Sequence, residues 1–149
     1  MASSLATQKK TVAAFLDAYN KWDIDLIMAL RAEQCMQYVL PRSLDQPSRN
    51  NEEYKAYFST LMPLFKDFNV TPETTVHDAE NHSCAMYLSS TATSPLGPYK
   101  NEYTFFLHFT DDGTKIIKVE EMVDSGYSAK YFGDLEKYVA SQSDGSSKV

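Results

Sequence analysis

A chain of 149 residues is long enough to bury a sizeable core as one domain. Its formal net charge of −6, with lysines and arginines scattered, leaves no basic footprint for nucleic acid or an anionic membrane. The opening MASSLATQKK lacks the apolar run of a secretory signal and no stretch reaches membrane-spanning length, which predicts a cytoplasmic protein. The two cysteines, Cys35 and Cys84, match no metal or redox spacing and read as free structural thiols. Three histidines without companions argue for no metal site. Ten tyrosines and eight phenylalanines suit either a pocket wall that must also present hydroxyls or an ordinary core and dimer surface.

In chain order, Val12, Phe15, Leu16, Tyr19 and Trp22 recur at helical spacing and predict a first helix from about Gln8 to Lys21. Asp23 then caps a shorter helix with the stripe Ile24, Ile27, Met28 and Arg31. An arginine at that position is either an edge residue with its head in water or a buried charge with a partner. Cys35 to Leu40 reads as a strand, ended by Pro41 in a loop that carries Arg42. Asn50, with Glu53 three residues on, has the form of a capping box for a third helix. Its stripe is Tyr54, Tyr57, Phe58, Leu61 and Met62, and Pro63 ends it. From Asp67 the pattern turns to strands, Phe68–His77 and Ser83–Thr93, followed by the breaker SPLGP and a long hairpin. A last helix starts with Ser128 as N-cap and runs through Tyr131, Phe132, Leu135, Tyr138 and Val139. The tail from about 141 to 149 has almost no apolar content and is expected to be disordered, leaving a core of about 8–140. Early helices followed by a strand meander imply an α+β fold, a curved antiparallel sheet around the helices with a pocket at the wide end of a cone.

The hairpin from Gly97 to Ser125 carries most of the candidate chemistry. A two-residue Asp-Gly loop would place Glu120 on the face of Tyr103. A three-residue loop, Asp111-Asp112-Gly113, instead sets Phe109 opposite Lys115, Leu107 opposite Ile117, Phe105 opposite Val119 and Tyr103 opposite Glu121. Only the second register gathers Tyr103, Phe105, Leu107, Ile117, Val119 and Val123 on one face, so Glu121 points inward and Glu120 outward. On the outer face this pairs Lys100 with Asp124 and Thr104 with Glu120. Phe106, Ile116 and Met122 there suggest a face covered by a second subunit.

Tyr99, Asn101, Tyr103 and Phe105 alternate onto the Glu121 face. A carboxylate among rings loses hydration, which raises its pKa toward neutrality and suits proton transfer. Two phenols four residues apart can donate to an oxygen on which negative charge develops. The same residues also make an ordinary cross-strand Tyr–Glu contact that merely stabilises a sheet.

Three segments, LP-R-SL with the following NNEEY (Leu40 to Tyr54), GPYKNEY (Gly97 to Tyr103) and VEEMVDSGY (Val119 to Tyr127), resemble the SnoaL-like branch of the NTF2-like superfamily. Within it they are similar to the small fungal isomerases of meroterpenoid and prenylated indole alkaloid biosynthesis, over about residues 8–140. The resemblance implies a cofactor-free, metal-free homodimer packed sheet to sheet, with a pocket in each cone for a hydrophobic polycyclic substrate. The semi-pinacolase type uses an arginine, two tyrosines four apart on one strand and a glutamate on the next. Tyr99, Tyr103 and Glu121 fall on that pattern as catalytic residues. Arg31 is the first candidate for the arginine and Arg42 the rival. Asn101, Phe105, Tyr57, Met62, Leu40 and Arg42 are the candidate substrate-binding residues. The superfamily's polyketide cyclases rely on a His–Asp pair, and no histidine here falls on the inner face. A cyclase or dehydratase using the groups above, and a non-enzymatic ligand-binding or scaffold module, remain the alternatives.

Overall fold

The computed structural model describes residues 4–145. The order is α1 (Ser4–Asn20), α2 (Ile24–Ala29), β1 (Arg31–Leu40), α3 (Asn51–Leu61), β2 (Lys66–Asp78), β3 (Ser83–Ser94), β4 (Gly97–Phe109), β5 (Ile116–Val123) and α4 (Ser125–Gly145). Short 3₁₀ turns lie at Arg42–Leu44 and Met62–Leu64. The five strands form one open curved sheet in the order β1-β5-β4-β3-β2, and the fold is α+β. Three of its pairings are antiparallel, but β1 runs parallel to β5, so the sheet is mixed rather than antiparallel throughout.

Helix α1 buries Gln8, Thr11, Val12, Phe15, Ala18 and Tyr19, the one-face spacing of an amphipathic helix. Asn20 docks its C-terminal end onto the sheet by accepting from Val70 N–H (2.7 Å) and donating to Val70 O (3.2 Å). The capping box at α3 forms as the sequence predicts, with Glu53 N–H donating to Asn50 Oδ1 at 2.9 Å. Strands β3 and β4 alternate strictly between buried and accessible positions. Their inner face packs in two clusters. One, beneath α1, joins Phe15, Tyr19, Met86, Leu88, Phe105 and Leu107; the other, beneath α4, joins Phe65, Ala92, Tyr99, Tyr131 and Leu135.

Several boundaries differ from the sequence reading. Arg31 is not on the second helix: α2 stops at Ala29 with Leu30 as C-cap, and Arg31 opens β1 opposite Ile116. Strand β1 therefore starts four residues before Cys35. Helix α4 begins at Ser125, where Asp124 Oδ1 accepts from Tyr127 N–H (3.1 Å), so Ser128 is a buried residue within the helix rather than its cap. The same helix continues to Gly145 through the first residues of the expected disordered tail; 146–149 lie outside the described residues.

The hairpin register is also shifted. The loop spans four residues, closed by Thr110 N–H to Lys115 O (2.9 Å), and Phe109 pairs with Ile116. A bulge at Ile117 then adds a second residue on β5, giving Leu107 opposite Val119, Phe105 opposite Glu121 and Tyr103 opposite Val123. Two one-residue shifts in the same direction restore the face, so Glu121 still stands inside. Between them the face is reversed. Ile116, expected outside, is fully buried, while Ile117 is only half-buried. On the outer face Thr104 pairs with Met122 and Phe106 with Glu120, and Asp124 N–H bonds Glu102 O, so neither predicted outer pair forms.

Gly113 sits in the turn at φ +77°, and an added Cβ would lie 3.3 Å from Thr7 Cβ. Its carbonyl accepts from Thr11 Oγ1 at 2.6 Å, which ties the turn to α1. Gly113→Ala should therefore cost about 1–2 kcal/mol from the left-handed backbone alone, read as a lower urea midpoint with unchanged slope.

Candidate active site

The inner face of the sheet, α1, α3 and α4 enclose a cavity of about 780 Å³. Phe15, Trp22, Phe58, Phe65, Phe68 and Phe105 supply much of its wall. Trp22 stacks on Phe68 with ring centroids 4.2 Å apart, and Tyr54 stacks on Phe58 at 5.4 Å. Such a wall is largely apolar and ring-lined, with few polar positions.

One polar place is Glu121. It projects from β5 into the cavity, opposite Phe105 on β4 and Val39 on β1. Loss of hydration against the surrounding protein raises its pKa from about 4.5 to about 7, and the Gln37 amide and the charge of Arg49 hold it from rising further. Gln37 lines the same cavity from β1. Arg49 is fixed beside it by a two-way backbone bridge, Gln37 N–H to Arg49 O (2.8 Å) and Arg49 N–H to Gln37 O (3.0 Å). The Arg49 guanidinium lies 3.7 Å over the Tyr57 ring at the cavity wall.

The second polar place is a hydroxyl network on β4 and β3. Tyr99 and Tyr103 hydroxyls are 2.8 Å apart, and Tyr103 is also 2.8 Å from Ser90 Oγ. Asn101 Nδ2 donates to Tyr99 Oη and to Ser128 Oγ, both at 3.0 Å, while its Oδ1 accepts from Glu102 N–H. Burial pushes the Tyr99 phenol up to about 12 and Tyr103 well above its ordinary value, and the nearby Glu121 charge adds to both. Both phenols are therefore neutral donors throughout the physiological range. Tyr99, Tyr103 and Ser90 carry three hydroxyl protons between them and make two hydroxyl–hydroxyl contacts. One O–H of the three is left to donate elsewhere; Tyr99 and Tyr103 line the cavity and Ser90 does not. A separate pair, Tyr19 and Tyr54, bonds hydroxyl to hydroxyl at 2.6 Å on the α1–α3 side.

Glu121, Tyr99, Tyr103, Asn101, Phe105 and Tyr57 thus share one cavity. Arg31 is buried but does not line it: Nε donates to Asn51 Oδ1 and Nη1 to Gln37 Oε1, each at 2.8 Å. Arg42 is exposed in the 3₁₀ turn, Leu40 falls on the β1 positions facing away from Gln37 and Val39, and Met62 packs into the core beside the cavity. None of these three lines the wall; the loop after β1 presents Leu44, Gln46 and Arg49 there. Sequence reasoning passed over Gln37, Arg49, Ser90 and Ser128. Ser90 and Gln37 had a signal, the even spacing of Cys84, Met86, Leu88 and Ser90 along β3 and of Cys35, Gln37 and Val39 along β1. Among the described residues no group of three or more His, Cys, Asp or Glu is placed to hold a metal ion, and no helix is long and apolar enough to cross a membrane.

A curved, open α+β sheet with helices over its inner face and an apolar cavity between them is an NTF2-like arrangement. The chain belongs to the SnoaL-like domain family, which matches residues 12–119. It is 32% identical over 142 residues to the monooxygenase AacuP of Aspergillus aculeatus, covering 95% of this chain and 98% of that one. An ergochrome gene cluster protein of Claviceps purpurea is 29% identical over 131 residues, covering 88% and 86%. Among solved structures, the BvnE pinacolase of Penicillium brevicompactum superposes with a TM-score of 0.87 at 27% identity, covering 92% of this chain and 96% of that one. The relatives therefore include proteins of fungal secondary metabolism.

The raised carboxylate predicts a pH-dependent stability difference. Between about 4.5 and 7 the folded state holds a proton on Glu121 that the unfolded chain has released, so stability falls as pH rises through this window and levels off above it. Glu121→Gln removes that penalty. The variant should be more stable than the parent at pH 8 by on the order of 2–3 kcal/mol, and equal to it near pH 4.5, by thermal melts at both pH values.

Proposed function

We propose that this chain is an isomerase of the fungal secondary-metabolite type, which rearranges a bulky, largely apolar, oxygenated substrate by general acid–base chemistry without a cofactor. The observation that carries the reading is Glu121, a carboxylate projecting into an apolar cavity, where loss of hydration pushes its pKa up to about 7. In a pinacol-type rearrangement a substrate O–H bond breaks as its carbon becomes a carbonyl. A neighbouring C–C bond migrates with its electron pair, and a C–O bond on the adjacent carbon breaks. The Glu121 carboxylate accepts the hydroxyl proton, and the Tyr99–Tyr103 network donates to the departing oxygen. If that oxygen belongs to an epoxide it stays in the molecule and the product is an isomer. The likeness to BvnE, a pinacolase, supports this reading.

The monooxygenase name of AacuP favours a second reading on the same base. Glu121 would take a proton from an activated CH₂ and the carbanion would add dioxygen. Loss of water from the hydroperoxide then leaves a carbonyl, with all electrons supplied by the substrate.

Purified protein incubated with extracts of the producing organism lacking its gene, followed by mass spectrometry, separates the two. A product isobaric with the consumed substrate is expected, and one enriched in ¹⁸O under labelled dioxygen would overturn the isomerase reading. With that substrate, kcat/KM should rise through about pH 7 to a plateau, since the base works as carboxylate. Glu121→Gln should lose about 10²–10⁴-fold in kcat and Tyr103→Phe about 10²-fold, both with native circular dichroism; full activity in Glu121→Gln would sink the assignment.

We also infer a homodimer paired through the outer sheet face, where Tyr87, Phe106 and Met122 stand 41%, 38% and 38% exposed. Phe106→Glu should convert a sedimenting dimer into a monomer.

A further inference from the structure

Behind Glu121 lies a chain of three polar side chains with no freedom of orientation. Asn51 Nδ2 donates to the carbonyls of Ala32 (2.9 Å) and Glu33 (3.3 Å), which turns Oδ1 toward Arg31. Arg31 Nε donates to that oxygen, its guanidinium lies 4.5 Å over the Tyr54 ring, and Nη1 donates to Gln37 Oε1. A guanidinium has only donors, so the Gln37 amide cannot flip without setting N–H against N–H. The remaining amide nitrogen, Gln37 Nε2, is buried, and no acceptor meets it in good hydrogen-bonding geometry. Gln37 itself is 3% exposed, lines the cavity, and has its backbone clamped on both sides by Arg49. In the parallel pairing of β1 with β5, Gln37 lies opposite Val119 and Val39 opposite Glu121, so Gln37 and Glu121 are diagonal neighbours on the inner face.

We propose that Gln37 is the positioning residue for Glu121, its amide locked by Arg31 and Asn51 so that Nε2 serves the carboxylate alone, and that Arg31 acts on Glu121 only through Gln37. This rests on the reading of Glu121 as the working acid–base group. It also accounts for an arginine buried without a carboxylate partner: Arg31 makes no ion pair within 4.0 Å among the described residues, and its charge is spent on holding an amide dipole. The Gln37 amide is the leading group that favours the charged form of Glu121, ahead of Arg49. The other ionisable groups facing Glu121 are Tyr19 from α1, Tyr54 and Tyr57 from α3, and Tyr99 and Tyr103 from β4. Glu136 from α4 lines the same cavity. All of these oppose the charge or stay neutral.

The test needs no substrate. In protein carrying ¹³C-carboxyl glutamate, the Glu121 resonance, assigned by its absence in Glu121→Gln, is followed with pH. Gln37→Met keeps the side-chain length and deletes the donor; its midpoint should rise by about one unit, a tenfold gain in proton affinity. Arg31→Lys keeps the charge but loses the fork that bridges Asn51 and Gln37, and its midpoint should rise as well. The double variant should match Gln37→Met alone. An unmoved midpoint in Gln37→Met overturns the proposal, as does an unmoved one in Arg31→Lys or two single shifts that add in the double. If Gln37→Met does not fold, Arg31→Lys decides by the same criterion. Because the readout is a titration, its failure is separate from failure of the isomerase assignment, which only the turnover assay reads.

Discussion

The pairing of β4 with β5 decides on which side of the sheet a carboxylate stands. With Phe105 opposite Glu121, one face of the hairpin holds Tyr103, Leu107, Val119, Glu121 and Val123, and the other holds Glu120, Met122 and Lys118. A slip of one residue would bring Lys118 and Glu120 inside and send Val119 and Glu121 out, exposing a buried valine and burying a lysine. The bulge at Ile117 is what reconciles this inner face with a loop one residue longer than the hairpin would otherwise take. It also lets Ile116 fill the space beneath α1, where it is fully buried. The site therefore depends on an irregularity whose energetic justification lies in core packing rather than in the site.

Once Glu121 is inside, electrostatics settles its condition. An apolar wall alone would drive it neutral; a full ion pair would hold it charged. The structure does neither. The nearest cation of the cavity, Arg49, is stacked on Tyr57 and acts from beyond ion-pair distance, and the buried arginine, Arg31, is turned toward amides. The outcome is a carboxyl group near its midpoint at neutral pH, the condition in which it can both take and return a proton.

Much of this was legible in the chain. The inward placement of Glu121 followed from hydrophobic alternation, and it survived a wrong register because two errors of one residue cancel in a period of two. Tyr99, Asn101 and Tyr103 were legible for the same reason: one strand, one face, even spacing. Arg31 was misplaced because its spacing from Ile27 and Met28 fits a helix, while the chain leaves the helix at Leu30 so that Ile116 N–H can bond Leu30 O. Gln37 shares the even spacing of Cys35 and Val39, but its place beside Glu121 was not legible, and Arg49 was not legible at all. Those placements come from a parallel pairing across some eighty residues and from a loop folded back to bridge β1, and neither leaves a periodic mark in the sequence. Local pattern finds residues on one element; residues brought together by topology need the fold.

The divergence of names among the relatives is intelligible from the same geometry. A carboxyl group raised toward neutrality and two neutral phenols in an apolar cavity do not specify a bond to be broken; on the proposed reading they take a proton from one position of a ligand while negative charge is held at another. Rearrangement and base-promoted oxygenation both begin there. They part at the next step, where either a carbon–carbon bond shifts or dioxygen is admitted, and that choice belongs to the ligand and to how the walls around it close. The walls here are ring-lined and contributed by the sheet as well as by α1, α3 and α4, so side chains around the acid can change, and with them the space offered to a ligand, without altering the strand register that keeps the acid in place.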